Sequence, residues 1–186
     1  ALIVPELYVC QHEVTQAEYF DVTGKDPSLR DRGNTKVEDS KYPVENVSWY
    51  DAIVYCNLLS IREGLEPCYK IKDSVKPEDW GSVPASSNDD WNLVSVNLYS
   101  GGYRLLTEAE WEYVATKGME STTKDYDALV LHSGNSKNNT QSVTNRLVDG
   151  LGICNILGNV SEWCFDWYST SLETSTALSG PEFGTA

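Results

Sequence analysis

Residues 152–168 read Gly-Ile-Cys-Asn-Ile-Leu-Gly-Asn-Val-Ser-Glu-Trp-Cys-Phe-Asp-Trp-Tyr, a run that combines oxygen donors, a flexible turn and alternating aromatics. Gly158 and Asn159 both tolerate positive φ, so the chain can bend there and bring several oxygens together instead of pointing them alternately outward. Convergent oxygens suit a hard cation. Calcium takes 6–8 oxygen ligands from carboxylates, side-chain amides and backbone carbonyls, and Asn155, Gly158, Val160 and Glu162 would supply a sensible partial shell that water completes. The plain alternative is a pair of Asx turns, with Glu162 accepting from backbone amides and no metal.

Three earlier positions carry one helix-start chemistry. Thr15-x-x-Glu18, Ser48-x-x-Asp51 and Thr107-x-x-Glu110 each set a hydroxyl three residues before an acid, so that cap and first turn satisfy one another. After the second, Ala52, Tyr55, Cys56 and Leu59 recur at i, i+3, i+4 and i+7, and Gly64 marks the stop. After the third, Trp111, Val114 and Ala115 form the expected buried stripe and Gly118 the expected end. Residues 163–168 alternate Trp163, Phe165 and Trp167 with Cys164, Asp166 and Tyr168, which predicts a short strand with one aromatic core face. Residues 71–102 and 116–150 are rich in turn formers and read as long loops, an arrangement suited to binding on a rigid core.

The run 155–166 resembles the signature "D/N-M-x-G-N-V-x-E-W-x-x-D" of the formylglycine-generating-enzyme (sulfatase-modifying factor) family, a branch of the C-type-lectin-like fold. Three further segments agree in order: Glu13-Val14-Thr15-Gln16-Ala17-Glu18-Tyr19, Pro43-Val44-Glu45-Asn46-Val47-Ser48-Trp49-Tyr50-Asp51-Ala52 with Tyr55-Cys56-Asn57 after it, and Tyr103-Arg104-Leu105-Leu106-Thr107-Glu108-Ala109-Glu110-Trp111-Glu112. The resemblance implies an α+β fold of few helices, short strands and many loops, in a single domain over 1–186. It also implies a structural calcium on Asn155, Gly158, Val160 and Glu162. A second calcium site of some members looks incomplete, with Asn135 and Ser136 as one edge. Members usually continue beyond a segment like 180–186 into an Arg/Gly-rich stretch, so the fold is expected to lack its last part here.

With 14 basic and 28 acidic residues, the formal charge is −14, which repels nucleic acid and anionic lipid. No apolar run approaches the roughly 20 residues that span a bilayer. The five cysteines, Cys10, Cys56, Cys68, Cys154 and Cys164, include no C-x-x-C pair; Cys56 and Cys164 are expected as buried free thiols. The family's oxidases hold copper on a C-terminal C-x4-C pair. Cys154 and Cys164 stand ten apart within the structural signature and do not reproduce it. His12 and His132 read as structural, and no nucleophile elbow is present.

Two functions therefore compete. The first is a non-catalytic binding protein at the bacterial surface, with or without a lipid anchor, whose partner is a protein or other extracellular ligand. The resemblance to treponemal members of the family, including a variable protein of a diversity-generating retroelement, favours it. The second is a formylglycine-generating oxidase or related cysteine-modifying enzyme.

Overall fold

The computed structural model describes residues 7–29, 35–122, 125–144 and 147–167. Its elements are α1 (Gln16–Thr23), α2 (Trp49–Arg62), β1 (Tyr69–Lys70), α3 (Asp89–Asn92), β2 (Ser95–Val96), α4 (Glu108–Glu120) and α5 (Tyr126–Leu129), with short 3-10 turns at Val37–Asp39 and Pro77–Asp79. The two strands pair antiparallel, Tyr69 opposite Val96 and Lys70 opposite Ser95.

All three expected capping boxes are present, on Thr15 with Glu18, Ser48 with Asp51, and Thr107 with Glu110. The second helix also stops where expected, with Gly64 at φ 72° just past the last turn. Gly118 does not end the third. That helix runs on to Glu120, and Gly118 lies buried in its last turns, because a side chain there would strike Asp149: a Cβ would stand 1.9 Å from Asp149 Oδ2. The expected stripe holds for Val114 and Ala115, which are buried, whereas Trp111 only leans against their cluster from its edge.

The main core gathers Ile53 and Cys56 of α2 with Cys68, Tyr69, Ile71, Trp80 and Trp91. Buried Asn57 staples these parts together. Its Nδ2 donates to the carbonyls of Tyr69 (2.7 Å) and Val75 (2.8 Å), and its Oδ1 accepts the Tyr69 N–H (3.1 Å). Such full pairing is what lets an amide sit in a core without a desolvation penalty. Helix α1 packs on α2 through stacked Tyr19 and Tyr55 rings, 5.4 Å between centroids.

The expected strand at 163–168 is not formed. Residues 161–167 carry no strand, and Tyr168 lies outside the described residues. The backbone is held by scattered bonds rather than a ladder: Phe165 N–H donates to Leu106 O (2.8 Å) and the Trp49 indole donates to Cys164 O (2.9 Å). The aromatic alternation serves different neighbours. Phe165 packs on the main core, while Trp163 is 54% exposed and caps Val47 O through its indole N–H. Cys164 is accordingly half-buried rather than buried, whereas Cys56 is in the core. The long loops are also more structured than their composition suggests, since 71–102 contains α3 and β2, and 116–150 contains the end of α4 and all of α5.

Candidate functional site

The turn over 152–162 is pinned on three sides. Gly158 pairs with Leu131 in a parallel bridge, and Asn159 N–H donates to Leu131 O at 3.1 Å. At φ 117°, Gly158 has no room for a side chain, because a Cβ would stand 2.0 Å from that carbonyl. Asn155 (φ 61°) and Asn159 (φ 58°) are both left-handed, a conformation that costs energy in non-glycine residues and concentrates at functional sites. Asn159 repays part of it by clasping Gln141: it accepts that residue's N–H at 2.9 Å and donates to its carbonyl at 3.1 Å.

Asn155 is 3% exposed and reaches across the chain to Glu13, which is 8% exposed. Asn155 Nδ2 donates to Glu13 Oε2 at 3.1 Å. The other two oxygens of this pair, Asn155 Oδ1 and Glu13 Oε1, are buried and have no hydrogen-bond partner. Glu162 stands at the exposed rim, where its Oε2 accepts the Trp111 indole N–H at 2.6 Å. Although the residue lies at the rim, the protein around its carboxyl strips away solvent and pushes it up to about 7, against the Trp111 hydrogen bond and with the negative charge of Glu13 adding to the rise. Burial likewise raises Glu13, opposed by hydrogen bonds from Asn155, its own backbone and Asn159.

The sequence-expected residues lie along this one turn. Asn155 offers an orphaned oxygen, Gly158 has positive φ, Val160 follows it, and Glu162 brings a charge at the exposed end. Glu13 was missed as a site residue because it lies 142 positions away; the signal available was only its place at the head of the first motif. No group of three or more His, Cys, Asp or Glu able to hold a metal occurs among the described residues. A cation here would therefore draw on amide and backbone oxygens beside carboxylate, the donor set that hard cations accept. Asn135, one edge of the expected second calcium site, has its amide engaged by His132 N–H (2.9 Å), Asp127 O (3.2 Å) and Val130 O (2.9 Å), so it braces its loop. His132 is held at both ring nitrogens, accepting Gly134 N–H at 3.1 Å and facing Asp127 Oδ1 at 3.3 Å.

A cleft of about 1450 Å³ opens beside the turn, lined among others by Trp49, Trp111, Leu131, Ile156, Trp163 and Phe165. Aromatic walls of this kind give large contact area for little lost side-chain freedom. Among the described residues, no helix is long and apolar enough to cross a membrane.

Comparison with known proteins gives concordant results. Residues 2–182 match the family described as sulfatase-modifying factor enzyme 1-like domain. The chain is 35% identical over 188 residues to the chaperone protein LppX of Paenibacillus barcinonensis, covering 88% of this chain and 63% of that protein. To the formylglycine-generating enzyme of Thermomonospora curvata it is 29% identical over 120 residues, 52% of this chain and 40% of the enzyme. Among solved structures, the Treponema denticola variable protein 1 superposes with a TM-score of 0.78 and 34% identity, over 94% of this chain and 68% of that one. The chain spans less than two thirds of the length of the curated relatives named here.

Proposed function

This chain belongs to the family of sulfatase-modifying factor enzyme 1-like domains, with its C-type-lectin-like α+β fold, and on that footing we propose that it is a non-catalytic ligand-binding protein. In this reading it is one domain, a retroelement-diversified variable protein displayed at the bacterial surface, and its partner is a protein or other extracellular ligand rather than nucleic acid. The observation that carries the proposal is the 34% identity to the treponemal variable protein across 94% of the chain. Exposed Trp163 and the aromatic cleft are the kind of surface such a function requires.

The thiols support it. Cys154 is buried with its Sγ–H donated to Val143 O at 3.0 Å. Burial pushes the Cys164 thiol up to about 11, with Asp166, Glu108 and Glu162 adding to the rise. The Cys164 setting disfavours the thiolate that a soft metal needs.

Calcium belongs to the proposal as a structural cation. Asn155 Oδ1, the carbonyls of Gly158 and Val160 and the Glu162 carboxylate would hold it, and the buried, unpartnered Asn155 oxygen is what fits. When bound it would supply charge compensation and hold the turn that shapes one wall of the cleft.

Sequencing this locus from independent isolates tests the function. The proposal expects substitutions crowded into one C-terminal segment while 152–162 stays constant. Substitutions spread evenly, together with conversion of a cysteine-containing sulfatase peptide to its aldehyde in the presence of copper and oxygen, would establish the oxidase instead.

A further inference from the structure

Two features of Glu13 have no explanation in a purely structural role. It is buried, at 8% exposure, and one of its carboxylate oxygens has no hydrogen bond. Burying half a carboxylate without compensation is costly, and native structures avoid it unless something else completes the shell. The unpartnered Glu13 Oε1 and the unpartnered Asn155 Oδ1 flank a single hydrogen bond, Asn155 Nδ2 to Glu13 Oε2. That bond fixes which way the Asn155 amide faces. With Nδ2 committed to the carboxylate, the amide must present its oxygen, the end a cation requires.

We infer that Glu13 is the second carboxylate of the cation site, orienting Asn155 through Oε2 and contributing its buried Oε1 and its negative charge to a hard cation held by the 152–162 turn. The inference rests on the calcium reading above and extends it. A site of one carboxylate and neutral oxygens would be weakly held, since affinity among calcium sites follows the number of charged ligands and the rigidity of the shell. A second carboxylate from the entry of α1 makes the site dianionic. It also joins two parts of the chain 142 residues apart, so that the cation would tie the α1 entry to the signature turn.

Terbium is the probe, because a trivalent ion with calcium-like ligand preferences emits when a nearby indole is excited, and the Trp111 indole is already bonded to Glu162. Wild type, Glu13→Gln, Glu13→Asp and Glu162→Gln would be titrated with terbium and then competed with calcium. Glu13→Gln keeps an oxygen for the Asn155 amide and removes only the charge, so it is expected to weaken terbium binding roughly 10- to 100-fold. Glu13→Asp keeps the charge and is expected to lose less. Melting of each variant in chelator reports whether it folds without the ion. Sensitised emission from Glu13→Gln at the wild-type half-saturation, with Glu162→Gln abolishing it, would overturn the role of Glu13 and leave the calcium reading standing. Absence of emission from the wild type itself would overturn both.

Discussion

Arg104 grips Glu110 with both arms of its guanidinium, Nη1 to Oε2 at 2.7 Å and Nη2 to Oε1 at 2.8 Å. The carboxylate is 1% exposed and also accepts the Thr107 backbone N–H at 2.9 Å. One residue thus completes the α4 capping box and anchors the preceding loop. Removing a single partner of such a buried pair leaves the other charge uncompensated, so Arg104→Ala is expected to destabilise by about 3 kcal/mol or more in urea titration. Burial pushes the Glu110 carboxyl up, but the Arg104 hydrogen bond, the Thr107 backbone and the Arg104 charge outweigh it and hold it below its ordinary value. The native state therefore releases this proton more readily than the unfolded chain. Its contribution is present above pH 4.5, the ordinary value, and is lost as pH falls through the lower native one. In Glu110→Gln that acid limb should flatten.

Gly118 and Asp149 make a second, steric test. Asp149 Oδ1 accepts the N–H groups of Leu151 (2.8 Å) and Ile153 (2.9 Å), and its loop lies against α4 where only a missing side chain leaves space. Alanine ordinarily favours a helix over glycine by roughly 1 kcal/mol. Here Gly118→Ala should instead destabilise by about 1–3 kcal/mol. Adding Asp149→Ala should make the Gly118 substitution nearly neutral; a Gly118→Ala protein as stable as wild type would show that the contact yields freely.

Without a cation, the signature turn should respond to pH in the opposite sense to Glu110. Burial, with the charge of Glu13, raises the Glu162 carboxyl from 4.5 to about 7, so the native state binds more protons than the unfolded chain between those values. The Glu162 contribution to stability in chelator should be fully present below pH 4.5 and should be lost as pH rises through about 7. Glu162→Gln should reduce that slope, and an unchanged slope would place the titration elsewhere.

Much of this architecture was legible in the chain because its strongest signals are local. A hydroxyl three residues before an acid can satisfy its partners within one turn, and all three such pairs did so. The positive-φ residues of the turn were likewise readable from Gly158 and Asn159. What was not legible depended on contacts far along the chain. The aromatic alternation at 163–167 looks like a strand, yet Trp163 seeks Val47 O and Phe165 seeks Leu106 O, and no neighbouring strand exists among the described residues to pair with them. Gly118 reads as a stop unless Asp149 is known to need its space. Glu13 reads as an ordinary acid until Asn155 is placed beside it.

The central claim, that a cation braces the signature turn of this scaffold, is tested most directly by thermal unfolding of the wild type in calcium and in chelator at neutral pH. Calcium at 100 times its dissociation constant adds about 2.7 kcal/mol, and for a chain of this size each kcal/mol is worth roughly 2–4 °C. The account predicts a midpoint higher by about 5–10 °C in calcium, a shift that Glu162→Gln removes. Superimposable wild-type curves in calcium and chelator would contradict it.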